Sequence, residues 1–373
     1  MTLVTFSGKP RVASFVRAFF SGGCVVLCAT AAFAGQPDYL VVDLTAKCSE
    51  TMGTTSNWAN YRDPTHPVLW TGNNCVDLHP AALLGNGPDA TATIQGHAGN
   101  LRVGWGMGLN TGMRSAPIVW HGAAGSAAFL AVPFTTYGAQ ALGTDGMQIV
   151  GSAAAFNGHN GGPYHALVWN VKTSTVIDLG AGGNGAEALS VARGQQAGFT
   201  TRFSGPVATI WAGTAASQIV LHPDNGAVTS QLFATNGLRQ AGFCGFDMEV
   251  VNEATYGRTT KRINKAFVWD ATAASARSIH PAGFRQSYAT GMNASSIVGY
   301  AYDGYDLGTV ANYHAILWNS SLQPIDLNAF LPHGFTGAKA DSIDAEGTIA
   351  GTIFTANGVR HAAVWTPIKT VAR

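Results

Sequence analysis

The chain has 373 residues, enough for one large domain or two ordinary ones, with 46 glycines, 46% hydrophobic residues and only 11% charged residues. So few charges cannot supply the polar faces of many amphipathic helices, and the glycine load has no collagen period, so short strands joined by tight turns are expected. A formal net charge of +1 offers no bulk attraction to polyanions, which argues against a nucleic-acid partner.

The chain opens with Lys9, Arg11 and Arg17 ahead of an apolar stretch over residues 18–34 that ends Ala32-Phe33-Ala34. A basic front, an apolar middle and a small-x-small end form an export signal, with cleavage expected before Gly35. A lipid-anchored Cys24 and an uncleaved membrane anchor are the alternatives; the first has a very short apolar core before it, and the second is marginal in length for a span. No later segment approaches that length. Without residues 1–34 the chain holds 18 Lys and Arg against 20 Asp and Glu. Cys48, Cys75 and Cys244 then remain in an oxidising space, where one pair and one free thiol is the simplest count.

The first strand after the signal reads Tyr39-Leu-Val-Val-Asp-Leu44. From there a repeat dominates. Trp70, Trp120, Trp169, Trp211, Trp269, Trp318 and Trp365 follow one another at intervals of 50, 49, 42, 58, 49 and 47 residues. Each is preceded by Leu, Val or Ile, and each has Ala or Pro three residues before it, as in His165-Ala-Leu-Val-Trp169 and His314-Ala-Ile-Leu-Trp318. Consecutive apolar positions predict a strand buried on both faces. A second strand follows across a short turn, clearest in Cys75-Val-Asp-Leu78, Val176-Ile-Asp-Leu179 and Pro324-Ile-Asp-Leu327. A third, glycine-bounded strand precedes every Trp of the series except Trp70, as in Ser295-Ser-Ile-Val-Gly299 and Gly347-Thr-Ile-Ala-Gly351. Small-residue runs upstream of it allow a fourth.

Units of four short strands and about 49 residues have the size of propeller blades. The expected fold is therefore an all-β propeller of about seven four-stranded blades, with one domain over residues 35–373. The last Trp strand lacks a following Asp-Leu strand, and the chain begins with one, so pairing of the two would close the ring without leaving an open edge. A six-bladed ring with residues 45–66 as an irregular flap is the alternative, and an open solenoid a more distant one. The weak stretch before Trp70 contains Cys48, and a Cys48–Cys75 bridge would staple it.

The pattern His-Ala-x-x-Trp, Asp-Leu, small-residue turn and Gly-x-Ile-Val-Gly resembles the HAF repeat of exported bacterial proteins. The likeness runs from Tyr39 to Trp365 and is best over residues 165–180, 288–299 and 314–351. It departs over residues 45–66 and where Ala116, Val207 and Lys265 replace the leading His. The resemblance implies an extracellular or periplasmic propeller and supplies no reaction and no catalytic residue.

Candidate chemistry has to be separated from the repeat. His66, His165, His314 and His361 share one repeat position and His79, His222 and His280 another, so structural hydrogen bonds to backbone between blades are expected. The same logic assigns Asp77, Asp178 and Asp326 to turn or inter-blade bonds and the seven Trp to packing. Outside the repeat, Trp58, Trp105, Tyr302 and Tyr305 are the candidates for exposed recognition, with Asp303 in the loop Asp303-Gly-Tyr-Asp306. The fifth Trp unit carries an insertion over residues 242–265 that concentrates Asp247, Glu249, Glu253, Arg258, Lys261 and Arg262, and inserted loops often hold function. No P-loop, zincin motif, nucleophile elbow or structural zinc spacing occurs, so no metal and no cofactor is expected.

The reading that follows is an exported, monomeric binding module holding a glycan or protein ligand at one rim of the ring. The alternative is a propeller-type glycan hydrolase or lyase, which would require His97, His121, His159 and His333, or Asp145, Glu187, Asp224, Asp247 and Asp303, to converge.

Overall fold

The computed structural model describes residues 38–45, 67–71, 74–85, 89–156, 158, 161–180, 184–252, 257–304 and 312–368. Trp58, Tyr305, Cys48, His66, His159 and residues 1–34, expected to be an export signal, lie outside them. In chain order the strands are β1 (Tyr39–Asp43), β2 (Val68–Thr71), β3 (Asn74–Asp77), β4 (Thr91–Ala98), β5 (Leu101–Met107), β6 (Ala116–His121) and β7 (Ala128–Phe129). The second blade holds β8 (Thr136–Thr144), β9 (Gln148–Phe156), β10 (Gly161–Asn170) and β11 (Val176–Asp178). Then come β12 (Ala186–Ala192), β13 (Gln195–Arg202), β14 (Gly205–Trp211), β15 (Ile219–Val220), β16 (Thr229–Thr235), β17 (Gln240–Asn252), β18 (Gly257–Trp269) and β19 (Arg277–Ser278). The last are β20 (Gln286–Met292), β21 (Ile297–Tyr302), β22 (His314–Trp318), β23 (Pro324–Asp326), β24 (Phe335–Ile343), β25 (Ile349–Thr355) and β26 (Arg360–Pro367).

They form a six-bladed β-propeller. Five antiparallel sheets take four consecutive strands each, from β4 to β23, and the sixth is β24, β25, β26 and β1. β1 pairs with β26 from Tyr39↔Pro367 to Asp43↔Ala363, which is the closure the sequence predicts. Trp70 falls on β2, which pairs only with β3 among the described residues. Seven four-stranded blades are therefore corrected to the six-bladed alternative. The physical reason lies before Trp70, where the sequence has no glycine-bounded strand.

That strand matters because of one steric requirement. The innermost strand of every blade carries a β-bulge, with Gln95, Leu142, Leu189, Phe233, Thr290 and Asp341 as the extra residues. Opposite the residue just before each bulge stands Gly104, Gly151, Gly198, Gly242, Gly299 or Gly351. A Cβ at any of these would overlap the carbonyl oxygen of the facing strand. The close approach lets the strand bend, and the bulged residue enters the central channel.

The Trp strands bind neighbouring blades together. Trp120, Trp211, Trp269, Trp318 and Trp365 are fully buried, and Trp169 nearly so. The indole N–H of Trp120 donates to the Leu78 carbonyl, Trp169 to Ala131, Trp269 to Leu221 and Trp318 to Ile279, at 2.6–3.0 Å. Each acceptor lies just past the outer strand of the preceding unit, and Leu78 puts the β2–β3 hairpin in that place before the first blade. The indole N–H groups of Trp211 and Trp365 meet no acceptor among the described residues.

Five of the recurring histidines make structural hydrogen bonds, three of them to a partner other than the expected backbone. His165, His314 and His361 bond through Nδ1 to Asp178, Asp326 and Asp43 within their own blades, at 2.7–2.9 Å, and pack against Phe134, Phe284 and Phe335. Where the leading His is missing, His222 and His280 take over. They bond to Ser230 and Ser287 of the next blade and to the carbonyls of Ala227 and Phe284. The other oxygens of Asp43, Asp77, Asp178 and Asp326 accept backbone N–H groups two residues on.

Cys75 is disulfide-bonded, and its expected partner Cys48 lies outside the described residues. Cys244 is a free, buried thiol whose pKa is pushed far up by burial. No helix among the described residues is long and apolar enough to cross a membrane.

Candidate functional site

The inner strands of successive blades lie side by side and in register. Thr235 N–H donates to Ser190, Asn236 to the Asn293 carbonyl, Thr290 to the Ala340 carbonyl and Asn293 to the Asp344 carbonyl; the two Asn bonds join equivalent repeat positions and the other two are offset by one residue. All turns between first and second strands therefore open on one rim, and all loops between second and third strands open on the other. The first rim carries only short turns between these strands. Asp145, Asn236, Asn293 and Asp344 close four of the six, each accepting a backbone N–H three or four residues on. The opposite rim varies from blade to blade. There the first blade has the loop of residues 108–115, the fourth blade has its extended hairpin, and β21 of the fifth blade ends beside the exposed Asp303.

The charged insertion is not an irregular loop. It prolongs the paired strands β17 and β18 to thirteen residues each, in register from Gln240↔Trp269 to Asn252↔Gly257. Arg262 donates to Asp247 at 2.6 Å and Arg258 to Glu249 at 3.0 Å, so the predicted residues Asp247, Glu249 and Arg258 do come together. They neutralise one another on an exposed ribbon. Arg262 draws the Asp247 carboxyl below its usual range.

Tyr302 is only 3% exposed and cannot be the exposed recognition residue expected of it. It belongs to a gallery between the fifth and sixth blades. Tyr288, Tyr300 and Tyr302 stack with centroids 4.9–6.5 Å apart, and Tyr313 meets Tyr302 at 4.7 Å. The Lys339 ammonium sits 4.0 Å from the Tyr313 ring and 4.4 Å from the Tyr300 ring. Burial lowers Lys339 to about 8, with Asp341 opposing the fall. Burial also raises Tyr313 to about 12 and Tyr300 well above the usual phenol. The box is filled by the chain's own cation, so its chemistry is a cross-link between blades. Five of the ten tyrosines fall within residues 288–313, a skew that could have flagged this gallery.

Trp105 holds the repeat position next to Gly104 and is half-buried; Asp303 is exposed and faces Arg285 at 3.4 Å. The remaining titratable groups scatter. Asp145 closes a turn, Glu187 is half-buried between the second and third blades with Ser152 donating to it, and Asp224 is exposed. Burial raises Glu187 above the usual carboxyl range, with the Ser152 bond opposing it. His97 lines the channel, where burial and Arg102 lower its pKa and Asp344 opposes. His121 and His333 are exposed on separate blades. Among the described residues no three His, Cys, Asp or Glu group as a metal site would. The channel is a cavity of about 380 Å³ whose bulge residues supply a single carboxylate, Asp341.

One exposed constellation was not predicted. Arg114, in the 108–115 loop of the first blade, stands over the rings of Tyr137 and Phe156 of the second, 4.9 and 5.4 Å from their centroids. Tyr137 is the extra residue of a second bulge between Thr136 and Gly138, which throws its ring outward. Sequence periodicity could not see it, because a bulge shifts the alternation by one.

No family model matches the chain, and no curated protein matches it. Solved structures do. The β-propeller domain of the Trilobed protease from Pyrococcus furiosus is 11% identical, with a TM-score of 0.47 over 75% of this chain and 85% of that one. Pyrococcus horikoshii acylaminoacyl peptidase is 13% identical, with a TM-score of 0.43 over 75% of this chain and 46% of that one. A chain of the Nidogen/Laminin complex is 11% identical, with a TM-score of 0.39 over 69% and 87%.

Proposed function

We propose that this chain is an exported binding module of the HAF-repeat type, released by cleavage before Gly35, which holds its ligand on the rim of second-to-third-strand loops. The observation that carries the reading is the asymmetry of the two rims. One rim carries short turns, four of them closed by an Asp or Asn side chain, whereas the 108–115 loop with Arg114, the β17–β18 ribbon and the exposed Asp303 all break the repeat on the other. Structure that adds exposed surface without adding core is the usual mark of a recognition face on a rigid scaffold. Among the described residues, the acids and histidines outside the repeat form no group of three, which favours binding over hydrolysis or lysis.

The test is a glycan and protein binding screen on the exported chain, repeated with clustered substitutions on each rim. Binding removed by changes on the variable rim and kept with changes at Asp145 and Glu346 supports the reading. Turnover of a glycan, or binding removed only from the short-turn rim, would refute it. A mass spectrum of the exported protein that does not begin at Gly35 would refute the processing step.

A further inference from the structure

We infer that Arg114, Tyr137 and Phe156 form a subsite for a uronate residue of an acidic polysaccharide. The inference rests on the variable rim being the binding face and names the ligand chemistry.

Three features show a built site. The loop carrying the guanidinium is held in place. Gly108 N–H donates to Thr111 Oγ1, Met113 N–H to the Gly108 carbonyl, Arg114 N–H to the Thr111 carbonyl, and Asn110 Nδ2 to the Leu83 carbonyl. Met113 holds a left-handed φ of 59° immediately before Arg114, a conformation that a non-glycine residue adopts at a cost. The rings beneath are left in water, Tyr137 46% and Phe156 38% exposed, although four-strand pairing could have buried them. Finally, Arg114 forms no ion pair among the described residues, whereas the charges of the β17–β18 ribbon, Arg262 with Asp247 and Arg258 with Glu249, are paired.

The chemistry of a ligand follows from that inventory. An unpaired guanidinium fixed over aromatic rings offers its N–H fork to a carboxylate. The parts of the Tyr137 and Phe156 rings that Arg114 leaves exposed offer apolar surface against which a sugar ring can pack. A carboxylate attached directly to a pyranose satisfies both at once. An acidic peptide fits less well. Peptides gain affinity by adding a strand to a free sheet edge, but Phe156 ends β9, which is paired on both sides, and β8 faces the channel.

The experiment is calorimetry on the exported chain with three probes: tetragalacturonate, its carboxyl-reduced galactose counterpart and a tetraglutamate peptide. Tetragalacturonate should bind. Arg114→Gln should weaken it about tenfold or more, as expected for losing charge-assisted hydrogen bonds, with Arg114→Lys intermediate. Tyr137→Ala and Phe156→Ala should each weaken it, and the reduced probe should bind far less. An unchanged thermal melt for Arg114→Gln checks the fold. Failure of tetragalacturonate to bind, equal binding of the reduced probe, or equal Arg114 dependence for tetraglutamate overturns the inference. Uronate binding lost through the β17–β18 ribbon and not through Arg114 would sink this subsite and leave the variable rim standing. Loss through the short-turn rim would sink both.

Discussion

Replacing Gly299 by alanine should cost far more than a typical glycine substitution. The new Cβ would overlap the Tyr288 carbonyl oxygen and stand 2.9 Å from its carbonyl carbon and 3.0 Å from Ala289 Cα. All three atoms are backbone, so no rotamer relieves the clash. The strands must part by about 1 Å, which breaks the hydrogen bonds on either side of the bulge. Two buried backbone groups left unsatisfied cost about 2–6 kcal/mol, so about 4 kcal/mol is expected. For a domain of this size the unfolding entropy is about 0.7 kcal/mol per kelvin, and the melting temperature should fall by about 6 °C. Gly125→Ala is the control, since its Cβ would meet nothing within 4 Å and its φ is unstrained; it should change stability by less than about 0.5 kcal/mol. The assay is thermal melting of both variants beside the parent protein. A Gly299→Ala melt within a degree of the control would refute the claim that the repeated glycines exist for strand approach.

Other outcomes follow from the same geometry. Trp318→Phe removes the 2.6 Å donation to the Ile279 carbonyl from a fully buried site and should cost about 2–4 kcal/mol in denaturant unfolding. Deleting residues 38–45 removes the β1–β26 ladder and the His361–Asp43 bond, so the melt should broaden and drop, and a peptide of those residues added in trans should restore it. Lys339 has its folded pKa lowered to about 8 from 10.5, so the unfolded chain binds the extra proton between those values and stability gains from rising pH across that window. Lys339→Met should be the more stable at pH 7, by about 3 kcal/mol or less, and the advantage should vanish by about pH 10.5; a pH-independent difference would contradict it. Cys244 should react with a thiol reagent only after denaturation, because it is buried and its thiolate is disfavoured.

The fold was legible because its determinants repeat. The Trp strand, the Asp-Leu strand and the glycine-bounded strand each recur at a fixed place, and ring closure could be read from the Asp-Leu strand at one end and its lack at the other. The blade count was harder, because Trp70 brings its own hairpin without the glycine-bounded strand, so counting Trp overstates complete blades by one. The recognition residues were the least legible. Tyr302 was a candidate for exposed recognition because it lies outside the repeat, yet stacking with Tyr288, Tyr300 and Tyr313 buries it. Asp247 and Arg262 were visible as a charge cluster, but their cross-strand pairing needed the register of a hairpin that no turn motif announced.

Arg114 and Tyr137 show why sites on such a ring escape sequence reading. The two residues come from different blades, twenty-three positions apart, and meet only because a bulge turns Tyr137 outward beneath a loop of the preceding blade. Neither belongs to a motif. The repeat itself supplies the mechanism. Each blade presses its inner strand against the next, so any residue added to a second-to-third-strand loop is carried over its neighbour, as Ser115 is when its carbonyl accepts the Ala139 N–H. Tyr313 does the same to Ala338 in the fifth and sixth blades. New surface can therefore be built across blade boundaries on this rim without disturbing the bulge, the indole or the closure that hold the ring, and a ligand there would be gripped by two blades at once.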